Sequence, residues 1–303
     1  MRRLHCVVRD DQDGIRVDTL LRRTMGLSAS AVRRAKLLPD GILLDGALVF
    51  TNARAAKGQT LSVAVGDAAG NPAVAAVPGP LTIGNEDEDF LVVHKPGGMP
   101  VHPSPGHYRD TLANRIMAHY EAIGLTAAFH PVNRLDRGTS GLMAVAKHAH
   151  AHERLQAQIQ NGTLRRTYLA VCEGTPDPLE DWIEAPIARV PGEVLRRQVD
   201  PSGAFARTHY RVLKRGGGRS LVQLELDTGR THQIRVHMSF LGCPLVGDFL
   251  YGTECGGPMA GRFALHSAAI RLRQPVTDAP IALEAPLPDS LTALLGEDIE
   301  TMR

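Results

Sequence analysis

From residue 81 onward the hydrophobic period of the sequence changes about every dozen residues, and no other feature narrows the possible folds as much. Short apolar runs bounded by charged and turn residues read as strands: LTIGNEDEDFLVVHKP as two around an acidic turn, then GLMAVAK, RRTYLAVCEG and FALHSAAIRLRQP. Between them, TLANRIMAHYEAIG and HAHAHERLQAQIQNG carry helical spacing, the second stopped by Asn-Gly, and THQIRVHMSFLG reads as a helix starting near Thr231. THYRVLKRGGGRSLVQLELDTGR reads as a long hairpin turning at the triple glycine. This mixture predicts the α+β class: a mixed, largely antiparallel sheet flanked by helices.

The first part of the chain has a different grain. Val17, Leu20, Leu21 and Met25 fall at helical spacing, and Gly26 is a stop. Ser28 suits the N-cap of a second helix that carries Val32, Leu37 and the pair Arg33–Arg34. ILL and ALVF flank Asp45–Gly46, a hairpin signal because both turn positions need positive φ, and LSVAV adds a strand. GDAAGNPAVAAVPGP, residues 66–80, is rich in small residues, Pro and Gly, and has no pattern. The expected organisation is a small α+β unit over residues 1–69, a linker over 70–80 and a second domain over 81–303.

Several classes drop out. The longest apolar runs, such as LVV at 91–93, are too short to cross a membrane. The start, MRRLHCVVRDDQDG, turns acidic before any apolar region forms, so no secretory signal is expected. Four cysteines without a CxxC pair predict reduced thiols in a cytoplasmic protein rather than a zinc site or disulfide framework. Net charge is only +2, but residues 1–36 hold nine Lys/Arg against four Asp, and 189–219 hold eight against two acids. Such local positive fields suit a polyanion.

NRLDRGTSG, residues 133–141, sets Asp136 between Arg134 and Arg137 ahead of a buried apolar run. The flanking cations favour the charged carboxylate, which a nucleophile needs and which a turn ion pair would use equally well. Rival chemistries find less support. His148 and His152 have i,i+4 spacing, with His150 between them, but no HExxH accompanies them. Ser140 lacks the GxSxG of a nucleophile elbow. A glycosidase would need a second acid beside the first, for which Glu225 and Asp227 are the candidates.

Five blocks decide between these readings. DFLVVHKPGGMPVHPSPG, HPVNRLDRGTSGLMAVAK, RRTYLAVCEG, DTGRTHQIRVHMSFLGCPLVGDFLYG and FALHSAAIRL occur in this order, and together resemble the RluA-type pseudouridine synthases over residues 81 to about 288. The resemblance implies that Asp136 is the catalytic nucleophile, that Tyr168 faces the target base as stacker or base, and that Arg230 pairs with Asp136. It implies Arg134 as a residue able to enter the gap left by an extruded base, with Arg137, Thr139, His232 and Gln233 as further substrate contacts. Asn133 stands where many members have His, which bears on local hydrogen bonding.

Residues 14–65 resemble the S-four-type RNA-binding domain in their helix–helix–hairpin order, with Arg33 and Arg34 on the basic helix as RNA contacts. LLPDG is longer than that family's usual turn, and Asp45–Gly46 stands where it often has Asn-Gly. Together the resemblances imply a cytoplasmic, monomeric RNA pseudouridine synthase that flips out its target uridine. The implied partner is RNA, ribosomal rather than transfer RNA. No cofactor or metal is implied, because the isomerisation involves neither redox nor group transfer. The residue types leave open whether the carboxylate attacks ribose or base, or assists removal of the 2′ proton. An inactive RNA-binding module is disfavoured because Asp136, Tyr168 and Arg230 are all present.

Overall fold

The computed structural model describes residues 1–67, 70, 73–256, 259–296 and 300–302. In the N-terminal part β1 (Arg3–Val7), β2 (Ile42–Leu44), β3 (Ala47–Leu48) and β4 (Thr60–Ala64) form a sheet of order β1-β4-β2-β3. The β2–β3 turn has Asp45 and Gly46 at φ 50° and 82°, as a tight hairpin between right-twisted strands requires. Two helical segments cover this sheet. The first is a single turn, α1 (Val17–Thr19), which widens over Leu20–Thr24 until the Met25 N–H reaches the Leu20 carbonyl. The second is α2 (Ala29–Lys36), with Ser28 Oγ accepting from the Ala31 N–H at 3.1 Å. Val17, Leu20, Leu21, Val32, Leu61 and Val63, all buried, close a core of their own. Strand β1 is an addition to the elements expected from the sequence pattern.

The N-terminal unit is held against the rest by buried and half-buried acids. Arg2 Nε donates to Asp89 Oδ1 at 2.8 Å, and Glu153 accepts from Ser28, Ser30 and Arg34 at 2.5, 2.8 and 3.3 Å. Burial alone would push the Asp89 carboxyl up, but hydrogen bonds from His148, Arg2 and Gln274 hold it well below the usual range. Residues 68, 69, 71 and 72, at the expected boundary between the first unit and its linker, lie outside the described residues. The remainder of that linker is strapped to the second part. Asn114 Nδ2 donates to the Ala75 carbonyl, and Arg115 to those of Val77 and Pro78.

The second part is built on one large sheet. Its strands are β5 (Thr82–Glu86), β6 (Phe90–Lys95), β7 (His130–Pro131), β8 (Ser140–Ala146), β9 (Arg165–Glu173) and β10 (Glu180–Glu184). After a separate pair, β11 (Ile187–Arg189) and β12 (Arg197–Val199), come β13 (Arg207–Gly216), β14 (Arg219–Leu226), β15 (Leu265–Arg273), β16 (Pro280–Glu284) and β17 (Glu300–Thr301). The main path runs β10-β13-β14-β9-β15-β8-β6-β5, antiparallel at every step except β15–β8. The sheet is therefore largely antiparallel and mixed, as the alternating pattern predicts. Among the described residues three helices of eight or more residues flank it, α3 (Leu112–Ala122), α4 (Ala149–Gln160) and α5 (Gln233–Phe240), with a short fourth, α6 (Asp289–Thr292), near the end. All seven residues of β8 are buried, which explains its unbroken apolar run.

One buried group at the α4 end yields a pH prediction. His150 is 3% exposed, its Nδ1 has no partner among the described residues, and burial first, then His148 and Arg154, lowers its pKa to about 4. Between that value and the ordinary 6.5 the unfolded chain binds a proton that the folded chain does not. This contribution to stability is complete above pH 6.5 and lost as pH falls toward 4. His150→Gln should therefore flatten the fall in unfolding free energy over that window, by up to about 3 kcal/mol at the acid end. Urea titrations at about pH 4.5 and 7 check it; an unchanged pH dependence contradicts it.

Candidate active site

Asp136 sits in the loop between β7 and β8, where the sheet switches to its parallel pair. The loop ends at Gly141, whose φ is 106° and where a Cβ would fall 2.2 Å from the Ser267 carbonyl oxygen. Only glycine allows β8 to approach β15 there, which accounts for the sharp turn that closes NRLDRGTSG. Within the loop the Thr139 N–H donates to the Asp136 carbonyl at 3.1 Å, while Leu135 and Thr139 are buried. The Asp136 side chain stays 29% exposed. Nearby, Lys95 is 1% exposed and donates to the carbonyls of Pro96, Met99 and Arg137 at 2.9, 2.8 and 3.1 Å, tying two loops together. Burial lowers the Lys95 pKa to about 7, against the attraction of Asp136.

The cation on Asp136 is Arg235, not Arg230. Arg235 Nη1 lies 3.5 Å from Asp136 Oδ2. Its Nε and Nη2 grip the Asp248 carboxylate, each at 2.7 Å, and the guanidinium lies 4.0 Å from the Phe263 ring centroid. Arg235 is 3% and Asp248 0% exposed, so the pair is dry. Although burial opposes its charge, Asp248 and Asp136 raise the Arg235 pKa. Arg230 instead is exposed and donates through Nε to the Phe205 carbonyl at 2.9 Å. The reason lies in one backbone angle. His232 adopts a left-handed φ of 58°, so the helix expected to start near Thr231 starts at Gln233. The first turn of α5 then brings Arg235, rather than Arg230, to the Asp136 loop.

A cleft of about 570 Å³ opens over this loop, with Asp136, Arg134, Tyr168, Arg230, Gln156 and His102 on its walls. A smaller recess beside it shares Asp136, Tyr168 and Arg230, and adds Thr139, His232 and Arg235. Tyr168 lies on β9 and is 4% exposed. Burial raises its pKa, which favours the neutral phenol. His232 Nε2 is 4.0 Å from Asp136 Oδ2, and its Nδ1 is 2.8 Å from the Tyr251 hydroxyl. Arg134 is exposed and has no ion-pair partner among the described residues, which leaves its guanidinium free for a ligand.

Other expected contacts are engaged within the protein. Gln233 is 3% exposed and its amide is used up: Oε1 accepts from Thr228 and the Arg230 N–H, and Nε2 donates to the Arg207 carbonyl and the Thr208 hydroxyl. It braces the turn from the wall of the smaller recess. Arg34 is spent on Glu153, while Arg33 stays exposed on α2. Arg137 is exposed and donates to the Gly98 carbonyl at 3.1 Å. Glu225 pairs across the sheet with Thr167, and Asp227 with Arg207, so neither is a second acid at Asp136. His148 caps α4 and faces Asp89 instead of lying in the helix with His152. No metal-ligand cluster occurs among the described residues. Asn133 Oδ1 accepts from the Ala144 N–H at 3.1 Å, a role that requires no histidine.

Sequence reasoning misses Arg235, Asp248 and Lys95. The signal for the first is available: an arginine inside QIRVHM, on an otherwise buried face, needs a carboxylate partner. Known proteins resemble the chain over most of its length. A family model described as RNA pseudouridylate synthase matches residues 89–240. The chain is 38% identical over 275 residues to the uncharacterized RNA pseudouridine synthase YjbO of Bacillus subtilis strain 168, covering 90% of this chain and 96% of that protein. It is 33% identical to the ribosomal large subunit pseudouridine synthase D of Nitrosomonas europaea, covering 96% and 87%. Among solved structures, human RNA pseudouridylate synthase domain containing 1 superposes with a TM-score of 0.60 at 27% identity, covering 75% of this chain and 93% of that one.

Proposed function

The chain belongs to the RNA pseudouridylate synthase family, and on that premise we propose that it isomerises a uridine of large-subunit ribosomal RNA with Asp136 as nucleophile. The observation that carries the residue assignment is the setting of Asp136. It is a part-exposed carboxylate in the cleft, and a buried Arg235–Asp248 pair holds a cation against it. The ribosomal target is supported by the 33% identity to the synthase of that name.

In the reaction the N1–C1′ bond breaks, the uracil reorients, and a C5–C1′ bond forms. C5 loses a proton and N1 gains one, so atoms balance without a co-reactant. The uridine must first leave its stack, at a cost of a few kcal/mol. Tyr168 offers a face to the extruded base, a contact worth about 1–3 kcal/mol, and Arg134 can fill the space left behind. Arg230 at the rim acts on RNA rather than on Asp136. The N-terminal unit, similar to S-four-type domains, adds phosphate contacts through Arg33. Pseudouridine mapping of ribosomal RNA from a strain lacking this gene tests the proposal. One large-subunit position should revert to uridine; an unchanged ribosomal map with a lost transfer RNA site overturns the ribosomal target.

A further inference from the structure

We propose that Arg262 anchors a phosphate of the RNA strand that carries the target uridine. The inference rests on the reading of Asp136 as the reacting group. Arg262 takes part in no ion pair among the described residues, and its Nε is sealed from solvent without a hydrogen-bond partner. Its guanidinium lies over the backbone of Gly97, where a Cβ would fall 2.3 Å from Nη2 and 2.7 Å from Nε. Any other residue at 97 would push the arginine away.

The same glycine pair receives a second arginine. Gly98 N–H donates to the Arg137 carbonyl at 2.8 Å, and Arg137 Nε donates back to the Gly98 carbonyl at 3.1 Å. Lys95, one residue before this loop's proline, is repelled by Arg262 and attracted by Asp136. Three cations from separate segments thus meet around the Gly97–Gly98 turn, and of these Lys95 feels the charge of Asp136, a carboxylate that Arg235 already shares. Arg235, the structural cation of the site, has Asp248 as its own acid. Arg262 has none among the described residues, and leaving a half-buried guanidinium unpaired is costly unless a ligand completes it. The ligand that fits is an anion that meets the terminal Nη groups, since Nε is sealed, and a phosphodiester of the RNA supplies it.

The test uses the full-length protein and total RNA from a strain lacking this gene, in which the substrate is present whatever its class. Arg262→Gln should raise KM about tenfold or more, the loss of one charged hydrogen-bonded contact, with kcat within about threefold. The slope of log affinity against log salt should become shallower by roughly 0.7–0.9, one phosphate contact. Arg262→Lys should keep the slope and recover part of the affinity. Unchanged KM and slope overturn the proposal. So does a fall in kcat at unchanged KM, or a lowered thermal midpoint of the free protein, since either marks a different role. Asp136→Asn run in parallel separates the two readings: if it remains active, the reading of Asp136 fails, whereas the salt slope of Arg262→Gln still reports the phosphate.

Discussion

Asp136→Asn is expected to abolish pseudouridine formation while RNA affinity stays within a few-fold of wild type. Asparagine has the same shape, and the turn depends on the Asp136 main chain, whose carbonyl accepts from Thr139. Arg235 keeps its tighter partner, Asp248, at 2.7 Å, so the fold does not lose a buried ion pair. What disappears is the charge that the proposed nucleophilic role requires. Loss of a residue on which the chemistry depends typically costs on the order of 10⁴-fold or more in rate. Single-turnover conversion and filter binding on one RNA preparation measure both quantities. Turnover by a clean preparation of the variant, or loss of binding in step with loss of rate, contradicts the assignment.

The second large effect is expected at Arg235. Arg235→Met removes a guanidinium that is 3% exposed and leaves the Asp248 carboxylate, 0% exposed, without its main partner. Truncating one side of a buried pair costs about 3–5 kcal/mol, a large share of the stability of an ordinary domain. Two backbone donors, the N–H groups of Leu250 and Tyr251, remain on Asp248 Oδ1 and cushion the loss. Arg235→Lys should recover part of it, since the ammonium keeps the charge but not the two-pronged geometry. Arg230→Met is the control: the side chain is exposed, so stability should change by less than about 0.5 kcal/mol. Denaturant unfolding of the three variants decides. Equal stabilities for Arg235→Met and Arg230→Met would show that the Asp248 pair is not what holds the site.

These two arginines also mark the limit of what the sequence discloses. Both lie in TGRTHQIR, and the choice between them depends on His232 taking a left-handed conformation, which no neighbouring residue type announces. Features set by local chemistry are readable: the Ser28 cap, the Asp45–Gly46 turn and the buried run of β8. Features set at long range are not. Strand β1 exists because Leu4 and its neighbours pair with β4, far along the chain. Arg34 reads as free on a basic helix, but Glu153, 119 residues later, takes it. The location of Asp136 is legible because a polar loop feeding a buried strand shows in the pattern alone, whereas Lys95 reads as the ordinary end of an apolar strand.

The most direct measurement is the identity of the product. RNA from a strain lacking this gene is incubated with the protein, digested to nucleosides and separated by chromatography with mass detection. The account predicts a new nucleoside of the same mass as uridine but different retention, formed by the wild-type protein, absent with Asp136→Asn, and accompanied by no free uracil. Release of free uracil, or formation of the isomer by Asp136→Asn, would contradict it.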